Sequence, residues 1–351
     1  MIKKIMLAAL LGGSTLALQA SEPAEFDGSS YYLPKTALKF TLVTERTSYT
    51  PGEFSQYAER FFKKAADSEK KEIYRIIDIK ISTYGVPDTA KMYTAKLDGK
   101  HNITSLYRSD SGVLLAVNDV PGNPSPEEPP FKSARKPEKL NGHNFLSQEI
   151  LSAGSKSKMA ELTAEEIFDL RDSRSRLAKG QAENMPTDGQ QLRIMFNSLD
   201  VQLEALNQLF YGTQETDTFE TVIEYVPSKA VNRDLLFRFS KHFGSVYKDD
   251  LSGTPYYISV IDEHQVPVST VTVGSDDKAR SEAGIWVNLP GKSRVILFQE
   301  EKMLKSYDLQ LAQLGRAEPV NSELFNKKTD TKITLNPITG NLESVKTELK
   351  K

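Results

Sequence analysis

The chain has 351 residues, past the ~250–300 at which a single core stops growing, so more than one domain is expected. Hydrophobic residues make up 38% and charged residues 26%, which excludes general disorder, and a formal net charge of -2 with no basic stripe excludes an electrostatic footprint for nucleic acid. No cysteine is present, which removes disulfides, thiol nucleophiles, thiolate metal sites and a lipid-modified N-terminal cysteine.

The first twenty residues have the order of a signal peptide. Lys3 and Lys4 precede the apolar run "IMLAALLGGSTLAL" (5–18), and "LQA" (18–20) offers a cleavage point before Ser21. The apolar run is too short to remain as a membrane span, and no later run approaches ~18 residues, so the mature chain should have no transmembrane helix. Losing Lys3 and Lys4 moves the net charge from -2 to -4. The expected destination is the periplasm or the cell surface, without a lipid anchor.

Residues 21–119 read as an N-terminal α+β domain. Leu38, Phe40 and Leu42 alternate with Lys39 and Thr41, a strand with one buried face. "TPGE" (50–53) resembles a capping box, and Phe54, Tyr57, Phe61 and Ala65 follow at helical spacing. "IIDIKIS" (76–82) alternates as a strand, and 90–97, 102–108 and 112–118 read as further antiparallel strands, with turn residues at 98–99 and 109–112.

The Pro-rich stretch 120–140 reads as a linker or surface loop. A helical hairpin is expected within 141–215. "TAEE" (163–166) marks one helix start, with Ile167, Leu170, Arg174 and Leu177 on one face and Gly180 as the stop. Leu192, Met195, Phe196, Leu199, Leu203, Leu206 and Phe210 form the stripe of the second helix, ending near Gly212. Between them, "ENMPTDGQQ" (183–191) reads as a helix corner capped by Thr187, where Gly189 suggests a close approach by another segment.

Residues 216–351 read as a C-terminal β-domain, a sandwich or barrel. Strands are expected at 219–226, 234–240, 255–261 and 266–273. One hairpin is expected where "GIWVNL" (284–289) meets "SRVILFQ" (293–299) across "PGK", and another across "ITG" (338–340). The fold class is therefore α+β: an N-terminal antiparallel sheet with a short helix, a central helical hairpin and a C-terminal β-domain.

Several of these segments resemble an uncharacterised family of secreted proteins from Gram-negative gut anaerobes, a domain-of-unknown-function family. The resemblance is carried by "AEEIFDLRDSRSRLAKGQAENMPTDGQQLRIMFNSLDVQLEALNQLFYGT", "YLPKTALKFTL", "LSGTPYYISV" and "GIWVNLPGKSRVIL", which together cover most of the chain. It implies export and similar length. It brings no catalytic residue and no established activity.

Chemistry-bearing patterns are sparse. His101, His143, His242 and His264 show no zinc-protease spacing, and there is no P-loop, dinucleotide fingerprint or G-x-S-x-G, so neither a cofactor nor a metal is expected. "DEH" (262–264) reads as a solvated turn. A glycan-processing hydrolase would need two carboxylates ~5–10 Å apart; Glu224 and Asp262 lie near aromatics, but no spacing singles them out. Glycan contact could use flat rings, with Tyr256, Tyr257 and Trp286 as the candidates beside Tyr31 and Tyr32, against a competing role in core packing. "RDSRSR" (171–176) reads as a salt-bridged helix surface in which Arg174 needs a partner if buried. "DTA" (88–90) fits a short O-glycosylation acceptor pattern at Thr89. The expected function is a non-enzymatic binding or scaffolding protein of the cell envelope, with a glycan or another envelope protein as partner. The alternative is the hydrolase.

Overall fold

The structure is a computed structural model that describes residues 30–95, 101–122, 131, 140–186, 188–267 and 284–349. The expected signal segment, the turn at 98–99, most of the Pro-rich stretch, Thr187 and all but the first two residues of the strand expected at 266–273 lie outside the described residues.

The fold is α+β. Its strands are β1 (Ser30–Thr50), β2 (Lys71–Thr94), β3 (Leu106–Arg108), β4 (Leu114–Val117), β5 (Thr213–Tyr225), β6 (Val231–Ser240), β7 (Gly244–Val246), β8 (Thr254–Asp262), β9 (Gly284–Gln299), β10 (Lys302–Asn321), β11 (Thr329–Leu335) and β12 (Leu342–Leu349). Its helices are α1 (Ala58–Phe62), α2 (Gln148–Leu151), α3 (Lys156–Ala178) and α4 (Gly189–Tyr211). Three antiparallel sheets form, in the orders β2-β1-β5, β10-β9-β8-β6-β7 and β12-β11-β4-β3. Among the described residues none closes into a barrel.

The strands are longer than the sequence suggests. At ~3.4 Å per residue, the 21 residues of β1 extend about 70 Å, enough to serve two cores. Its middle, Leu38, Phe40 and Leu42, faces Ile258 and Val260 of β8 and Val295 and Leu297 of β9, so the first two sheets pack as a sandwich. Its start, Tyr31 and Leu33, joins a second core with Val117 of β4, Ile285 of β9 and Ile333 of β11. A third core is helical: Phe54 and Ala58 pack with Ile150, Ile167, Leu206 and Phe210.

The pairings join the N-terminal third of the chain to strands from its second half. β5 runs along β1 from Leu38↔Tyr225 to Thr50↔Thr213, and β11 pairs with β4 at Ile333↔Val117.

Six expectations need correction. The hairpin across "PGK" does not form: β9 runs straight through Pro290 and Gly291. The neighbouring β10 bulges here, with register jumping from Gly291↔Leu311 to Leu289↔Arg316, so the missing N–H of Pro290 falls where the ladder is already interrupted. Residues 90–94 likewise belong to β2 rather than to a separate strand, beyond a bulge at 88–91. "TPGE" is not a capping box: Thr50 ends β1, and a 3-10 turn at Ser55–Tyr57 leads into α1 without side-chain capping. "TAEE" lies inside α3, which starts two turns earlier under Ser155, while the Thr163 hydroxyl donates to the carbonyl of Met159. The "ITG" hairpin forms as β11–β12, and α4 ends at Gly212 as its stripe predicts. The connection at 183–191 is capped by Asp188, whose Oδ1 accepts from the Gln190 N–H at 3.1 Å; nothing approaches Gly189 within 4 Å.

Candidate functional site

The three aromatic candidates do not converge. Tyr256 is buried on β8 with its ring stacked on Phe237, centroids 4.4 Å apart and planes 12° apart, which makes it a packing residue of the sandwich. Tyr257 is half-buried, with the Arg233 guanidinium 5.2 Å from its ring centroid. Trp286 stacks on Tyr93 at 4.9 Å and 12°, in the core that Tyr31 and Val117 share. Tyr31 is fully buried and takes the Trp286 backbone N–H on its hydroxyl at 2.7 Å, and burial pushes its phenol well above the usual range.

The bulges of β2 and β10 meet the β11–β12 turn in a polar junction. The buried Asn288 amide donates to the carbonyls of Pro34, at 2.8 Å, and Thr339, at 2.9 Å. Lys91 reaches its Oδ1 at 3.5 Å, and burial lowers the pKa of that amine. Nearby, Gln313 donates to the carbonyls of Thr36 and Pro227, while Thr36 takes the Ala312 N–H. Each of these contacts joins distant parts of the chain, so the junction is explained by folding alone. Thr89 sits exposed on the same β2 bulge, where Asp88 Oδ1 accepts the Ala90 N–H at 3.2 Å.

The carboxylates are engaged in pairs. Glu224 lies on β5 opposite Lys39 and holds the Tyr84 hydroxyl; burial first, and that bond second, push the Tyr84 phenol up to about 12. Asp262 ends β8 on a different sheet and accepts the His264 N–H at 2.8 Å. In "DEH", Glu263 pairs with Lys292 and Arg294 at 3.3 and 3.1 Å. Among the described residues no three His, Asp or Glu side chains gather as metal ligands. Glu53 joins His143, at 3.0 Å, and Lys156, at 3.5 Å, tying the start of α3 to the segment before α1.

In "RDSRSR", Asp172 and Arg176 pair at 2.7 Å as the spacing predicts. Arg174 is not buried: it bridges to Asp200 of α4 at 2.6 Å and lies over the Phe196 ring. Arg171 reaches Asn207 at 3.1 Å. These bridges join the helical pair toward its far end, where α3 also buries Leu177. The buried residues of α4 are Ala205, Leu206, Leu209 and Phe210, all in its last two turns. The preceding turns expose Ile194, Met195 and Val201. At the base of α4 a shallow depression of about 460 Å³ is lined by Glu204, Asn207, Gln208, Tyr211 and Thr213.

Sequence reasoning passed over one further feature. The turns that follow β6 hold Phe243, Tyr247 and Leu251 out in solvent. Their spacing of four reads as a helix fragment, but Gly244 and Gly253 break it, and only the tertiary structure shows the side chains uncovered.

No curated protein and no solved structure matches the chain. A family model does, over residues 27–343: the chain belongs to the family described as Domain of unknown function (DUF4831). No helix among the described residues is long and apolar enough to cross a membrane.

Proposed function

We propose that the protein is an exported, non-enzymatic binding or scaffolding protein of the cell envelope, with a glycan or another envelope protein as its partner. The observation that carries this reading is the outer half of the helical pair. It is braced by Arg174–Asp200, yet offers Ile194, Met195 and Val201 to solvent with no buried residue of α4 before Ala205. Apolar side chains held on a braced element suit docking. Export rests on the basic–apolar–small order of residues 1–20.

The absence of cysteine makes the test direct. A single cysteine at Val201, carrying a photo-crosslinker, should capture one envelope protein in intact cells, and Ile194→Asp should abolish the product. A cross-link pattern unchanged by Ile194→Asp would remove the helical pair as the dock. A glycan array on the same protein tests the other partner class; retained binding after Trp286→Ala would dismiss that ring. Thr89 is the proposed O-glycan acceptor, supported by its exposure on the β2 bulge. Intact mass from the native host should show a glycan that Thr89→Ala removes.

A further inference from the structure

The end of the five-stranded sheet where β6 stops carries three large apolar side chains that the helical dock does not use. Phe243 is 69% exposed, Tyr247 79% and Leu251 82%. They are held, not loose. The β6–β7 hairpin pairs from Arg238↔Val246 to Ser240↔Gly244. Its base rests on β2, where the Tyr74 N–H donates to the Lys241 carbonyl at 2.8 Å. Gly244, at φ +74°, lies close against Tyr74: a Cβ there would be 3.1 Å from the ring.

Part of the backbone of these turns is satisfied from within. Arg238 donates from Nε to the Lys248 carbonyl at 2.8 Å and from Nη1 to the Gly253 carbonyl at 3.0 Å. The Asp250 N–H donates to the Tyr247 carbonyl, the Gly253 N–H to the Asp250 carbonyl, and the Ser252 N–H to Asp250 Oδ1. Bare peptide groups are what make entry into an apolar medium costly, and here several are already paired. The charges of the stretch nearly balance, with Lys241, Lys248 and the inserted Arg238 against Asp249 and Asp250.

We infer that this end of the sheet is a membrane-contact element, with Phe243, Tyr247 and Leu251 entering the headgroup–acyl boundary of an electrically neutral lipid surface. A tyrosine ring with an exposed hydroxyl suits that depth. Three side chains on adjoining turns offer a footprint well short of the ~800 Å² per partner of a standard protein interface, whereas a bilayer deforms around them. A near balance of charge, with Asp249 and Asp250 directly before Leu251, favours a neutral surface over an anionic one. The inference rests on the envelope reading only for its compartment.

The test uses residues 21–351, which keep every described residue and lack the apolar N-terminal run that would itself partition. Mixed with phosphatidylcholine vesicles, this protein should float with them, equally well in about 0.1 and 0.5 M salt. Replacing Phe243, Tyr247 and Leu251 together by Ser should lower the partition coefficient by about tenfold or more. In a second variant, Phe243→Trp, the new emission should shift blue on vesicles and be quenched by brominated lipid. Protein that stays at the bottom of the gradient, a triple variant that floats as well as the parent, or binding confined to anionic vesicles would each overturn the inference. So would a Phe243→Trp shift that appears with an envelope protein and not with lipid. Cross-linking at Val201 reads a different surface, so its success beside failed flotation would remove the lipid contact alone.

Discussion

Three residues, Asn288, Gly212 and Gly189, give the clearest tests of packing. Asn288 has a buried amide that bridges two carbonyls, those of Pro34 and Thr339. Asn288→Ala leaves both without that donor, at ~1–3 kcal/mol for each buried group. Urea unfolding should register a loss of about 2–4 kcal/mol; a loss under about 1 kcal/mol would mean the junction relaxes. Glycines supply the second test. Gly212 stops α4 at φ +72°, and a Cβ there would lie 2.2 Å from the Thr50 carbonyl, so Gly212→Ala must distort the β1–α4 contact. Gly189 opens α4 in free space, so Gly189→Ala should stabilise by roughly 0.5–1 kcal/mol through the unfolded chain. Opposite signs in the two melting temperatures are the expected outcome.

At the scale of elements, periodicity was more legible than punctuation. The alternations at 38–42 and 76–82 and the stripe from Leu192 to Phe210 all became elements, but only 38–42 buries its whole expected face: in 76–82 Ile79 is buried and Ile77 exposed, and the stripe is buried only from Leu206 onward. Pro and Gly were misleading because the long strands pass through them as bulges. Gly85 leaves the space into which the Pro337 carbonyl fits, and Gly291 does the same for the Leu314 carbonyl. Such close approaches are made by residues more than twenty apart, so no local reading separates them from turns. β10 was missed although Tyr307, Leu309 and Leu311 alternate, because "AQLGRAEP" interrupts the pattern where the strand bulges. Of the site aromatics, sequence supplied ring chemistry but not direction: Tyr256 and Tyr257 are neighbours on β8, and only the first is enclosed in the sandwich. The helical pair offers an electrostatic check. Arg174–Asp200 is exposed on both sides, so reversing the two charges together should preserve the pair, and the separate Ala variants should become indistinguishable from the parent in high salt.

For the whole molecule, the burial of tyrosine sets the alkaline limit. Burial raises the phenols of Tyr31, Tyr225 and Tyr84, the last to about 12, against ~10 in an unfolded chain. A raised phenol keeps its proton longer folded than unfolded, so its stabilising contribution is whole below pH ~10 and is lost as pH rises toward 12. Lys91 opposes this, since burial lowers its pKa and favours the neutral amine in the folded state. The urea midpoint should fall between pH ~10 and 12 as absorbance at 295 nm reports phenolate. The same sheets decide whether the chain can be divided. A fragment of residues 21–119 keeps β1, β2, β3 and β4 but loses β5 from one side of β1 and β11 from one side of β4. It also leaves Leu38, Phe40 and Leu42 without β8 and β9. Its apolar faces would stay wet and two sheet edges would be newly open, a condition that favours aggregation over folding. Expressed alone, it should bind a hydrophobic dye and unfold without a cooperative transition, while residues 21–351 unfold sharply. A sharp transition in the short fragment would show instead that β1 and β2 carry a core of their own, and that the strands from the C-terminal half are added to a unit already folded.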